Sequence, residues 1–135
     1  MNLFESLEEL SLIAKLVYTE NLEALEQEIA KGFELDSEIQ LTKDLTDTII
    51  NFAIYENKKK VVTWLISKGA KFNYNDTDSS LFLMACRDFD FEIVKLLLDN
   101  GAKIGLKDDK GFTAMKHAEL SRATETIEIL KAYKA

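Results

Sequence analysis

Few residues in this chain stand in patterns that could do chemistry. Asp76, Asp78 and Ser80 alternate as the opening ligands of a calcium loop do. Such a loop also needs glycine at its sixth position for the turn and glutamate at its twelfth for bidentate ligation. Leu81 and Arg87 stand there instead, so no metal site is read. His117 is the single histidine. Proton transfer or metal binding would require fixed partners around it. None is legible beside Met115 and Ala118, and His117 reads as a packing residue. Cys86 is the single thiol, so it makes neither an internal disulfide nor a multi-cysteine zinc site. Within the apolar run Leu81 to Cys86 it reads as a small core residue. Lys58-Lys59-Lys60 is the one basic run. It opens a helix, where positive charge opposes the helix dipole, and reads as a solvated outer face. Neither a glycine-rich phosphate loop nor a nucleophile elbow appears. The chain reads as non-enzymatic, with no cofactor and no metal.

Composition sets the class of scaffold. The 135 residues suffice for one domain with a sizeable core. An apolar share of 47% with 30% charged residues belongs to a folded chain rather than a disordered one. Abundant Leu, Glu, Lys and Ala, five glycines and no proline predict mostly helix. The formal net charge of −7 repels nucleic-acid phosphates and anionic lipid surfaces at long range and favours a protein partner with a basic surface. The start, Met1-Asn2-Leu3-Phe4-Glu5, lacks a basic stretch and a long apolar core, so no signal peptide is read. No apolar run approaches a membrane span. The expected setting is cytoplasmic and the expected state monomeric.

Stepping through the chain in phase exposes a repeat. Gly32, Gly69 and Gly101 each follow an apolar helical run, at spacings of 37 and 32 residues. Sixteen positions before them stand Leu16, Ala53 and Ala85, and Ala118 continues the series. Five positions earlier again stand Ser11, Thr48, Ser80 and Thr113. A hydroxyl side chain accepts a bond from the free N–H groups of a helix start. The spacing therefore predicts first helices over 12–19, 49–56, 81–88 and 114–121. The small residue five positions on lets a second helix approach closely. The second helices carry apolar stripes: Leu22, Leu25 and Ile29; Val61, Val62, Leu65 and Ile66; Ile93, Val94, Leu97 and Leu98; Ile127, Ile129 and Leu130. Glycine in the left-handed conformation then ends the first three. A lone helix pair cannot bury its apolar face, so the pairs must stack.

These residues resemble the ankyrin repeat, whose pattern runs Asp-x-x-Gly-x-Thr-Pro-Leu-His-x-Ala, then a Val- and Leu-rich helix, then Gly-Ala-Asp. The closest stretches are Asp108 to Ala118 and Ala85 to Ile104, and the similarity covers about residues 11 to 133. The family's proline is replaced by Leu12, Ile49, Leu81 and Ala114, and its histidine by Ala14, Asn51, Leu83 and Lys116. The expected fold is all-α: one ankyrin-type α-solenoid over 1–135 with four stacked helix-turn-helix repeats, about 1–36, 37–73, 74–105 and 106–135. Residues 33–47 run about five residues long, which predicts an irregular hairpin there. Ser6-Leu7-Glu8-Glu9 reads as a capping box that starts the first helix early, near Leu7. Glu8, Glu9, Glu23, Glu26 and Glu28 read as the polar outer side of a terminal capping unit.

The resemblance also implies a site. Partners of such stacks meet the concave face formed by hairpin tips and exposed parts of the first helices. The variable positions mapped here are Tyr18-Thr19, Tyr55-Glu56, Arg87-Asp88 and Leu120-Ser121, with Asn75, Thr77, Asp78, Asp109, Lys110 and Phe112 at the tips. Tyr and Arg are enriched at interface hot spots. Phe112 is expected as an exposed ring. The function implied is non-enzymatic binding of a partner protein. The alternative is an inhibitor or immunity-type protein that neutralises a basic toxin or enzyme, steered by Asp76, Asp78, Asp108 and Asp109.

Overall fold

The computed structural model describes residues 11–72, 86, 91–105 and 107–134. The expected helix over 81–88, its cap Ser80, and the early start near Leu7 lie outside the described residues, apart from Cys86, which is helical and buried. The chain divides into two compact units, Met1–Lys71 and Phe72–Ala135.

In the first unit α1 (Leu12–Tyr18) and α2 (Leu22–Ala30) form one antiparallel pair, and α3 (Ile49–Tyr55) and α4 (Lys59–Ser67) form the next. The phase residues do locally what their chemistry predicts. Ser11 and Thr48 sit in extended backbone, and their hydroxyls accept from the N–H of Ala14 at 3.4 Å and Asn51 at 3.3 Å. Gly32 and Gly69 take positive φ of 110° and 92°, a region where a Cβ is penalised. The N–H after each reaches back five residues, Phe33 to the Glu28 carbonyl and Ala70 to that of Leu65. The same closure ends the first helices, but on Glu20 and Asn57, both non-glycine residues with positive φ.

Five of the seven residues of α3 are buried: Ile49, Ile50, Phe52, Ala53 and Ile54. A helix apolar on so many sides must be enclosed, and α1, α4 and a hairpin pack around it. That hairpin corrects the all-α expectation. Residues 33–47 were expected to be irregular, yet β1 (Glu38–Thr42) and β2 (Leu45–Thr48) pair antiparallel, with one register shift between Gln40 and Thr42. Ile39 and Leu41 face the interior while Glu38 and Gln40 face out, the two-residue alternation of a half-buried strand. Val61, Val62 and Leu65 bury the inner face of α4. In α2 only Leu25 is fully buried, so the weak stripe of the first repeat buries less.

The second unit contains α5 (Phe91–Asp99), α6 (Ala114–Leu120) and α7 (Thr124–Lys134), with α7 packed against both others. Ile93, Val94, Leu97 and Leu98 are buried as the stripe predicts. Thr113 caps α6 by accepting from the Lys116 N–H at 3.2 Å, and Gly101 and Arg122 have positive φ after α5 and α6. In α7 the expected Ile127, Ile129 and Leu130 stripe shifts. Leu130 is buried, but the deep position one turn earlier belongs to Thr126, and the two isoleucines are half-buried. Fixed register explains this, because Thr126 occupies the place that Ile93 holds in α5. Leu65 and Leu97 are almost completely enclosed, and truncating either to alanine costs about 2–5 kcal/mol.

Candidate functional site

The expected surface residues fall at three kinds of place. Tyr18, Tyr55 and Leu120 each end a first helix, seven positions after its cap. Their exposure differs. Tyr55 is 42% and Leu120 58% exposed, whereas Tyr18 is half-buried beneath Lys58, whose ammonium sits 4.2 Å from the ring centroid. That cation–π contact is worth about 0.5–1 kcal/mol at an exposed site. It also corrects the expectation that Lys58 belongs to a merely solvated run. Glu56 is half-buried, and burial pushes its carboxyl above the usual range against the opposing pull of Lys58. Asn75, Thr77, Asp78, Arg87 and Asp88 lie outside the described residues.

The tip ahead of α6 is built on one side chain. Asp108 Oδ1 accepts from the backbone N–H of Lys110 and of Phe112, both at 2.9 Å. Its Oδ2 lies 2.8 Å from His117 Nε2. Gly111, at φ 82°, makes the turn, and Lys107 bridges to Thr113 behind it. The bond from the Phe112 N–H, then those from His117 and Lys110, hold the Asp108 carboxyl below the usual range despite partial burial. Asp109 and Lys110 are exposed at the tip. Phe112 is not the exposed ring expected from sequence: it is half-buried and meets the His117 ring edge-on at 5.8 Å. His117 itself is buried. Its packing role is legible in the sequence but its partner is not, because nine positions separate Asp108 from His117 and only the closed loop joins them.

A second cluster was not found from sequence at all. Glu26 Oε1 accepts from Trp64 Nε1 and pairs with Lys68 Nζ, each at 2.7 Å, which ties α2 to α4. The Lys68 and Trp64 bonds hold the Glu26 carboxyl below its usual range. Glu26, expected on the outer side of the first unit, is therefore exposed but engaged. Glu23 is also exposed, Glu28 is half-buried 3.7 Å from Lys31, and Glu8 and Glu9 lie outside the described residues.

Burial pushes the Cys86 thiol up to about 12, which suppresses the thiolate needed for nucleophilic chemistry. Among the described residues no group of three potential metal ligands converges, and no helix is long and apolar enough to cross a membrane.

Short capped helix pairs, closed by left-handed residues and joined by hairpin tips, define a helical-repeat scaffold. Residues 50–135 match the family model for ankyrin repeats in three copies. The chain belongs to the ankyrin-repeat family. Members are generally protein–protein interaction modules and typically non-enzymatic.

Proposed function

We propose that this chain is a monomeric cytoplasmic module of four repeats that binds one partner protein through its concave face. Hairpin tips and the ends of the first helices supply the contacts. The observation that carries this reading is the pair Tyr55 and Leu120. They occupy the same repeat position, and both leave large apolar side chains at the surface, at the ends of helices that bury five residues in α3 and one face, Ala114, His117 and Ala118, in α6. An exposed aromatic or leucine next to polar tips fits the anchor-and-rim anatomy of interfaces. Asp109 and Lys110 would form part of the rim, and Asn75, Asp78, Arg87 and Asp88 extend the proposed surface. Tyr18 contributes less, because Lys58 already covers its ring.

The net charge of −7 favours a basic partner surface, and raising salt should weaken association. For the inhibitor reading, one of the four acidic tip residues invoked, Asp108, spends its carboxylate inside its own loop. The test is a quantitative affinity capture comparing the native chain with a Tyr55→Ser, Leu120→Ser variant. Both substitutions are at exposed positions, so the thermal midpoint should hold, while partner retention falls about tenfold or more, the scale of a hot-spot loss. Full retention by a folded variant would refute the assignment.

A further inference from the structure

The first unit carries a groove on its outer face that neither the repeat packing nor the proposed concave surface uses. Leu22 of α2 and Lys59, Lys60, Thr63, Trp64 and Ser67 of α4 line it. The α4 members recur at helical spacing on the side away from buried Val61, Val62 and Leu65. Its polar atoms are turned back on the helix. Thr63 Oγ1 donates to the Lys59 carbonyl at 2.8 Å, and Ser67 Oγ to that of Trp64 at 2.6 Å. The indole N–H is held by Glu26 and the ring is flanked by Lys68, 6.0 Å from its centroid. What remains facing outward is largely carbon, with an aromatic wall already fixed in one orientation, so little side-chain entropy is lost when something packs on it.

The charge at the groove opposes that of the chain. Lys59 and Lys60 stand at one end, and Lys60 is exposed, in a protein of net charge −7. An apolar floor beside ammonium groups suits a ligand with an apolar side chain next to carboxylates. The stripe from Lys59 to Ser67 spans about 12 Å at the rise of an α-helix, the reach of about four residues of extended chain. We propose that this groove docks a short acidic segment of another protein, one apolar side chain lying on Trp64 and the carboxylates facing Lys59 and Lys60. The net negative charge works against an anionic membrane, a large surface of like sign. A short segment held within one Debye length, about 8 Å, experiences mainly the local lysines.

Trp64 is the only tryptophan, so its emission reads the groove directly. The full chain is titrated with a short peptide of alternating glutamate and leucine, with its lysine–leucine counterpart, and with phosphatidylserine vesicles. The acidic peptide should produce a saturable emission change that salt weakens. The Lys59→Glu, Lys60→Glu variant should bind it about tenfold or more weakly. Glutamate near the start of α4 suits the helix dipole better than lysine, so the variant should keep its thermal midpoint. A saturable response to the acidic peptide that the variant loses, with no response to the basic one, supports the site. No saturable response, an equal response to the basic peptide, unchanged affinity in the folded variant, or tighter binding to the vesicles than to the peptide would each overturn it.

Discussion

The loop ahead of α3 and the loop ahead of α6 both end on a capping threonine, Thr48 and Thr113, but they are closed by different means. The first is a two-stranded ladder running from Glu38 to Thr48, with Ile39 and Leu41 buried under it. The second has one isolated bridge among the described residues, Lys107 to Thr113, a turn bond from the Gly111 N–H to the Asp108 carbonyl, and the Asp108 carboxylate at its centre. The family's histidine is missing from both, and the substitutes follow the same division. In the first, Asp47 Oδ1 accepts from the Asn51 side chain and from the Thr48 N–H, each at 2.8 Å. In the second, His117 serves one residue beyond the family position and binds the loop's aspartate. The first loop thus rests on a backbone ladder and buried carbon with one carboxylate at its end, whereas the second is organised around a carboxylate held below its usual range.

That contrast can be broken most forcefully at Leu41. Leu41→Ala should cost about 2–5 kcal/mol and unprotect the β1–β2 amides, read by denaturant unfolding and hydrogen exchange. A loss near zero would mean that the ladder alone carries the first loop. Gly111→Ala comes next. A Cβ there meets no steric neighbour, but its φ of 82° is strained for an L residue, so about 1–2 kcal/mol should be lost. No change would mean that the second loop adapts its turn. Asp108→Asn gives the smallest effect and the sharpest one. The folded carboxyl of Asp108 sits below its ordinary value, so its stabilisation is complete above about pH 4 and fades as pH falls through the lower, folded value. The asparagine variant should lose that acid-dependent component. Parallel acid profiles for the native chain and Asp108→Asn would erase the distinction.

Sequence legibility followed the range of the forces. Ser11, Thr48 and Thr113 and the closing glycines announce themselves because capping acts across three to five residues. The hairpin was also within reach: Glu38-Ile39-Gln40-Leu41-Thr42 alternates polar and apolar with period two, a signal overridden by the helical context around it. Thr126 could be placed only by aligning α7 on α5, since its residue type argues against a deep position. The pairs Tyr18–Lys58 and Glu26–Trp64 lie 40 and 38 positions apart, and only helices side by side bring them together. For the candidate surface, sequence supplied the phase of Tyr55 and Leu120, but the covering of Tyr18 and the inward turn of Phe112 are tertiary outcomes.

The anchoring of the lone indole between α2 and α4 has an optical consequence for how unfolding is followed. Trp64 emission reports on the unit that holds it, residues 1–71, whereas far-ultraviolet dichroism sums helices from both units. In repeat chains cooperativity rests on nearest-neighbour coupling rather than on one shared core, and coincident transitions are the mark of a single step. The separation between the two melting curves therefore measures how firmly one half of the molecule is bound to the fate of the other.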